Sequence, residues 1–573
     1  MKIIRRHHQI HTHHLPEGLH PVLQTIYLNR GVSSSEDLDL TLQRLHHSQQ
    51  LSGIERAVEI LADALQHQRR ILIVGDFDAD GATSCALSVR ALRAMGVAHV
   101  DYLVPNRFHF GYGLSPQLVE VASERKPDLI ITVDNGISSI DGVAAAKACG
   151  IAVIVTDHHL PGDALPDADA IVNPNLEGDE FPSKNLAGVG VIFYLMAALR
   201  TALRQQGWFE QQHISEPNMA DYLDLVALGT VADVVPLDQN NRILVENGLQ
   251  RIRAGRCCAG ITALIGISKR TANRLVATDL GFALGPRLNA AGRLEDMSLG
   301  IECLLSDDAG AASQMAEELN SLNLQRREIE EQMKQQAVSM LDAIELADEQ
   351  ELPAGLTLFD PVWHQGVIGI LAARIRERCH RPVIAFAADT ADELKGSARS
   401  IPGVHIRDVL DAIATRNPRL INKFGGHAMA AGLSLPRDNL NYFKRAFDEE
   451  VGRLVTAEQL QGSIESDGEL SSAELNLELA QAIRRGGPWG QHFPEPQFDG
   501  RFRVKNHKVV AQRHLKLMLT PEDASMPVIE AIAFNQAEES DCTSGDLVEI
   551  AYRLDINDYY GEERLQLIVQ HIL

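Results

Sequence analysis

Four short apolar runs, each followed at once by acidic or histidine side chains, constrain this chain more than any other feature. With their sequels they read ILIVGDFDADG, LIITVDNG, IAVIVTDHH and VALGTVADVVPL. Asp76, Asp78 and Asp80 follow the first run, and Asp134 ends the second. Asp157, His158 and His159 end the third, and Asp233 follows the fourth. Runs of this kind predict buried parallel strands. Ligands in open α/β sheets gather at the carboxyl ends of such strands. The four strand ends are therefore expected to deliver carboxylates and imidazole to one place. One Asp after a strand is ordinarily a turn former or a helix cap. The density of DxDxD and DHH points further, because so many like charges repel one another unless cations neutralise them. Oxygen-rich ligands with one or two imidazoles favour Mn²⁺ or Mg²⁺, and no cysteine cluster accompanies them as zinc sites often have. A two-metal hydrolytic site follows, of the kind that activates water and stabilises the attacking and leaving oxygens of an in-line displacement at phosphorus.

Around these motifs the pattern is α/β. ERAVEILADALQHQ has helical spacing, and segments such as ATSCALSVRALRAMG and SSIDGVAAAKACG alternate with the runs, which predicts βαβ units and a mainly parallel sheet. Residues 308–350 are polar and helical in composition, with Met315, Leu319, Leu322, Ile329 and Met333 as an apolar stripe. A long packed helix is expected there; an irregular heptad argues against a coiled-coil dimer. LTLFD and RPVIAFA begin a second α/β pattern. Beyond residue 460, FRVKNHKVV, HLKLML, VIEAIAF, LVEIAYRLDI and ERLQLIVQHIL alternate as strands do, with a hairpin turn at Asp558–Gly561. Five short strands suit an OB-like barrel, a common single-strand binder. Its Arg501, Arg503, Lys505, Lys508, Arg513 and Lys516 form a local basic excess, which a solvated strand face would also show.

Bulk properties narrow the function. A length of 573 residues predicts three or four domains, and a net charge of −24 excludes a broadly basic coat for DNA. Any nucleic-acid contact must be a local groove on an acidic body. Seven cysteines without a CxxC predict free thiols in a reducing compartment, the adjacent Cys257 and Cys258 included. The N-terminus MKIIRRHHQIHTHH lacks the apolar core of a signal peptide, and no run is long enough to cross a bilayer, so a cytoplasmic protein without membrane contact is expected. His7, His8, His11, His13 and His14 read as part of a disordered leader.

DFDADG, VDNG, TDHH and VADVVPL, in that order, resemble the four motifs of the DHH phosphoesterase superfamily. PNRFHFGYGL, FALGPRLNAAGR, WHQGVIG, KGSARS and FGGHAMAAG resemble the RecJ family of bacterial single-strand-specific 5′→3′ DNA exonucleases. The resemblance runs from about residue 50 to the C-terminus. It implies a leader with short helices over 1–50, a DHH-type catalytic domain over 51–305 and a connecting helical segment over 306–352. A DHHA1-type domain over 353–458 and an OB-like domain over 459–573 follow.

The resemblance also implies roles. Asp76 and Asp78 would serve one divalent ion, Mn²⁺ or Mg²⁺, and Asp80 the other. Asp134 would bridge both, and His158 and Asp233 would complete the second site. Asp157 would orient a neighbouring imidazole, and His159 would contact the scissile phosphate or protonate the leaving oxygen, making Asp134, Asp157 and His159 the catalytic set. Substrate would meet Arg107, Tyr112, Arg287, Asn289 and Arg293, then His364, Ser397, Arg399, Gly425, Gly426 and His427. Lys395 and Ser400 accompany Ser397 and Arg399 in a segment suited to a 5′-phosphate. Trp363 and the phenylalanines 108 and 110 suit a core as well as a stacking surface.

The leading function is degradation of single-stranded DNA with a 5′ end to nucleoside 5′-monophosphates in recombination and repair, mismatch repair included. A monomer working at the nucleoid, with a helicase and a single-strand binding protein supplying substrate, is implied. A small-substrate DHH phosphodiesterase is the second reading, and a non-catalytic scaffold the third.

Overall fold

The computed structural model describes every residue except 8–12, 107–109, 111–112, 349–351, 523–527, 538–541 and 558–560. The chain divides into two compact units: Arg6–Asn323 with Ser466–Leu573, and Met1–Arg5 with Leu324–Glu465.

In the first unit, β1 (Ile71–Gly75), β2 (Val100–Leu103), β3 (Leu129–Val133), β4 (Ala152–Thr156) and β5 (Ala170–Val172) form a sheet of order β2-β1-β3-β4-β5. Every pair is parallel, and β1 and β3 are buried throughout, as their unbroken apolar runs require. Helix α1 (Ala79–Ala94) leaves β1 through the acidic loop, and α2 (Gly188–Gln205) follows β5.

The fourth apolar run is not a strand. Leu223–Ala232 is a helix, α3, and Asp233 is its C-cap. Leu223 through Thr230 are all buried, so no polar face breaks the pattern into a helical period, and composition alone reads equally as strand. A π-helical turn, Leu280–Leu284, then leads into α4 (Gly285–Leu294).

Before residue 50 the described part holds the helix Pro21–Asn29 and three short 3₁₀ turns, and the strand Lys2–Arg5 pairs with Ser463–Ser466. His8 and His11 lie outside the described residues. The expected long helix is α5 (Ala309–Asp348). In the first unit Leu319 and Leu322 of its stripe join the large core; in the second unit Met333 joins a separate core, with Ile329 packed against it.

The second unit carries β6 (Leu356–Phe359), helix α6 (Ile368–Cys379), β7 (Val383–Ala388), β8 (Glu393–Arg399), β9 (Lys423–Gly426) and β10 (Ala430–Pro436). Its sheet runs β9-β10-β8-β7-β6, with β6 and β7 parallel and the other pairs antiparallel. KGSARS lies on β8 itself.

The C-terminal segment of the first unit closes as a barrel of β11 (Phe498–Val510), β12 (His514–Pro521), β13 (Ile529–Ala533), β14 (Leu547–Asn557) and β15 (Arg564–Ile572), ordered β11-β12-β13-β15-β14. These are the five alternating segments, and the expected turn at 558–560 lies outside the described residues. All seven cysteines are free thiols. Among the described residues, no helix is long and apolar enough to cross a membrane.

Candidate active site

The acidic loop turns sharply after β1. Asp78 caps α1, its Oδ1 accepting the Asp80 and Gly81 backbone N–H groups at 3.0 Å each. Asp80, in the first turn of α1, faces inward and accepts two further backbone donors at the start of α2: Gly188 N at 2.6 Å and Val189 N at 2.9 Å. Helix N-terminal amides suit an anion, and these two hold the carboxylate in one orientation. Asp134 follows β3 in left-handed backbone, φ 61°, a conformation Asp tolerates better than most residues. Gly188 has no room for a side chain, since a Cβ there would lie 2.5 Å from the Asp134 Cβ.

After β4, Asp157 is fully buried and anchors the two histidines. Its Oδ1 accepts His158 N at 2.8 Å and His159 N at 3.1 Å, and lies 2.7 Å from His159 Nδ1. Its Oδ2 accepts Ile137 N at 2.9 Å. His158 turns the other way: its Nε2 lies 3.1 Å from Asp134 Oδ1 and 3.5 Å from Asp233 Oδ2. Asn175 Nδ2 donates to the His158 carbonyl at 2.6 Å, and Asn173 Nδ2 to the His159 carbonyl at 2.9 Å.

Burial and crowding of like charge mark the electrostatics. Burial, reinforced by the Asp233 charge, pushes Asp80 up to about 7. Burial and then Asp78 push Asp233 up to about 8. Burial and the neighbouring carboxylates of Asp80 and Asp78 hold Asp134 well above the ordinary range. Burial would also raise Asp157, but the His159 hydrogen bond and charge outweigh it and hold the carboxyl low. Burial opposes charge on His159, yet Asp157 lifts it to about 9, whereas burial beside His159 lowers His158.

Among the described residues three groups of potential ligand atoms result, each with its atoms within 4.8 Å of one another: Asp76, Asp78 and Asp134; Asp80, His158 and Asp233; and Asp134, His158 and His159. Oxygen-rich donors with one or two imidazoles fit Mn²⁺ or Mg²⁺. Cations there would relieve the repulsion that raises Asp80, Asp134 and Asp233.

Helix α4 lies against the acidic loop. Asn289 Oδ1 accepts Ala79 N at 2.8 Å, and a Cβ at Gly292 would meet the Phe77 carbonyl at 1.8 Å. Arg287 Nε donates to Asn320 Oδ1 on α5 at 3.0 Å, and Arg293 is half-buried one turn beyond Asn289. Arg107 and Tyr112 lie outside the described residues.

In the second unit, Ser397 and Arg399 stand on the half-exposed face of β8, with Arg399 Nη1 3.2 Å from Ser397 Oγ. Helix α6 begins beside them: a Cβ at Gly369 would meet Arg399 Nη2 at 2.9 Å and Ser397 Oγ at 3.0 Å. Ser397 pairs in register with Gly432, and Gly432 with Gly425. Nothing stands within 4 Å of where a Cβ would be at either glycine, so the row is an open floor beside Ser397. His427 follows β9, its N–H donating to the Ala430 carbonyl across the Gly426 turn, φ 147°. His364 precedes α6, its carbonyl accepting Val367 N and Ile368 N. Lys395 pairs with Asp389 at 3.0 Å, and Ser400 turns inward to the Val404 carbonyl. Trp363 is core, its Nε1 donating to Gln336.

Family models agree with this layout: the DHH family N-terminal domain matches residues 70–230, the DHHA1 domain 353–453, and the RecJ OB domain 466–571. The chain is 55% identical over 572 residues to the single-stranded-DNA-specific exonuclease RecJ of Salmonella typhimurium, covering 99% of this chain and 98% of that protein. It is 54% identical over 570 residues to the RecJ of Escherichia coli, with the same coverage. This chain belongs to the RecJ family. The crystal structure of RecJ from Thermus thermophilus in complex with Mn²⁺ matches with a TM-score of 0.78 at 29% identity, over 100% of this chain and 79% of that one. The Mg²⁺ complex from the same organism matches with a TM-score of 0.72 at 27% identity, over 100% and 78%. A RecJ-family site for divalent ions thus accords with the donor chemistry of the acidic loop.

Some positioning groups escaped the sequence reading. The α2 amides at Gly188 and Val189 are marked only by the AGVG that opens that helix. Asn173 and Asn175 sit in VNPN after β5, a polar sequel to an apolar run like the others, and that signal was available.

Proposed function

We propose that this chain hydrolyses single-stranded DNA from its 5′ end and releases nucleoside 5′-monophosphates. The observation that carries the reading is the overlap of three ligand groups on Asp134 and His158 at the ends of parallel strands. In the proposed assignment Asp76, Asp78 and Asp134 would hold one divalent ion, and Asp80, Asp134, His158 and Asp233 would hold the other. Two such ions, when bound, activate water and stabilise the attacking and leaving oxygens of an in-line displacement. His159, fixed by Asp157, reaches the scissile phosphate or hands a proton to the leaving oxygen. Asn289 braces the acidic loop, and Arg287 and Arg293 of the same helix meet the phosphates of the strand.

Ser397 and Arg399, with the α6 N-terminus beside them, bind the terminal 5′-phosphate, and the glycine row lets the nucleotide backbone come close. His364 and His427 border that surface. A phosphate held at one fixed place gives polarity, because only one end of the strand fits. The barrel holds the strand between cuts. The work belongs to recombination and repair, mismatch repair included, at the nucleoid of the cytoplasm, by a monomer supplied by a helicase and a single-strand binding protein.

The test is digestion of 3′- and 5′-labelled single-stranded and blunt duplex oligonucleotides with Mn²⁺ or Mg²⁺, with Asp134→Ala alongside. Mononucleotides from the 5′ end of single strands, abolished by the substitution, are expected. Activity confined to very short or cyclic substrates would favour a small-substrate phosphodiesterase instead.

A further inference from the structure

Among the described residues Phe282 is the most exposed large apolar side chain, 81% open to solvent. It stands in the π-helical turn Leu280–Leu284, a rare geometry that is frequent at functional sites. Its neighbours in that turn, Leu280, Ala283 and Leu284, are buried, so Phe282 alone points out. The turn leads directly into α4, whose half-buried positions include Pro286, Arg287, Asn289 and Arg293. Asn289 bonds the acidic loop at Ala79. Seven residues separate Phe282 from Asn289, or about 10 Å along a helix axis.

A second observation lies beside it. Val234, next after Asp233, is 62% exposed and has φ 62°. β-Branched residues avoid that left-handed backbone, so an apolar group is held in solvent at a conformational cost. The two segments touch: a Cβ at Gly281 would meet Val231 Cγ1 at 3.3 Å, and one at Gly285 would meet the Ala232 Cβ at 3.0 Å.

We infer that Phe282 is a platform on which an unstacked nucleobase of the single strand lies, with Val234 the second apolar contact at that rim of the site. The occupant is a base because this segment packs against Val231 and Ala232, just before Asp233, and a ring exposed at that edge of the site suits an unstacked base of the strand. Duplex bases are already stacked, so the contact favours single strands. This deepens the nuclease reading and rests on it.

The test compares wild type, Phe282→Ala and Phe282→Trp in the full-length protein with Mn²⁺. Loss of one stacked base is expected to raise KM for an oligothymidylate about tenfold in Phe282→Ala while kcat stays within about twofold. An oligonucleotide abasic at its 5′ region should erase that difference. In metal-free protein, oligothymidylate should quench the added indole of Phe282→Trp relative to wild type. A wild type that degrades single strands beside a Phe282→Ala variant with unchanged KM overturns this inference alone. A wild type inactive on single strands overturns the nuclease reading itself. Self-association of the wild type that Phe282→Ala abolishes would assign the ring to a second copy of the chain and overturn the base contact.

Discussion

Asp157 Oδ1 lies 2.7 Å from His159 Nδ1, and the same oxygen accepts the backbone N–H groups of both histidines. One buried carboxylate therefore sets the His159 ring orientation and the path of the dipeptide together. Its partners are all donors, so an amide in its place presents an N–H to at least one of them. Asp157→Asn is expected to lower activity about 10- to 100-fold, as loss of an outer orienting group does. His159→Ala is expected to lower kcat about 10²- to 10⁴-fold with little change in KM. Steady-state kinetics on single-stranded oligonucleotides separate the two, and circular dichroism checks that both variants fold.

Crowded carboxylates make stability and metal binding pull in opposite directions. Asp134 lies among Asp76, Asp78, Asp80 and Asp233, whose charges all oppose its ionisation. Asp134→Asn is expected to raise the Tm of the metal-free protein, because burial and those charges oppose ionisation of the carboxyl in the folded state and the amide has nothing to ionise. Wild type should gain about 2.7 kcal/mol at a hundredfold excess of Mn²⁺ over its Kd. Asp134→Asn should lose most of that gain, and activity with it. Thermal melts with and without Mn²⁺ check both halves; a variant stabilised by Mn²⁺ as strongly as wild type would refute the bridging assignment.

The strand ends carrying Asp76, Asp134 and Asp157 were legible because β1, β3 and β4 are almost wholly buried and leave unbroken apolar runs. The five barrel strands were legible because alternation survives where one face meets solvent. Asp233 was found, but on the wrong element, since a helix buried on every side loses its period. The Asp80–Gly188 contact spans 108 residues, and nothing local announces it. Val234 is hidden for another reason: left-handed backbone at a β-branched residue is imposed by tertiary structure against local preference.

Gly188 tests how tightly the site is assembled. A Cβ there would approach Asp134 Cα at 2.8 Å and its Oδ1 at 2.8 Å, and the glycine is buried. Either α2 or the Asp134 turn must shift, which also moves the amides that hold Asp80. Gly188→Ala is expected to cost about 1–3 kcal/mol in stability. Activity should fall far more than the remaining folded fraction explains. Denaturant unfolding and kcat measured on the same preparations check this.

Gly432 offers the opposite case. It is exposed, its Cβ position is open, and its partners in register are Ser397 and Gly425. A β-branched residue suits an antiparallel strand, so Gly432→Val should leave Tm unchanged or raise it slightly. If a nucleotide backbone passes over that row, KM for single strands rises while the fold stays intact. An unchanged KM would remove the glycine row from the substrate surface.

Arg30 grips Asp467 across 437 residues, Nη1 to Oδ1 at 2.8 Å and Nη2 to Oδ2 at 2.9 Å, with the two side chains 1% and 0% exposed. Burial alone would raise the Asp467 carboxyl, but Arg30 outweighs it and, with Arg6 and the Gln497 N–H, holds it below the ordinary range. A carboxyl held low in the folded state adds stability above its unfolded value of about 4, and that stability is lost as pH falls through the folded value. Arg30→Ala leaves the buried carboxylate without its fork and is expected to cost about 3–5 kcal/mol at neutral pH. With the guanidinium gone, burial dominates and the folded value rises, so acid unfolding should begin at higher pH than in wild type. Arg30→Ala with Asp467→Asn should recover part of the loss, because no unpaired charge remains. Melts of the three proteins between neutral pH and the acid limb check the sign, and an Arg30→Ala acid limb superimposable on wild type would show that the pair contributes nothing there.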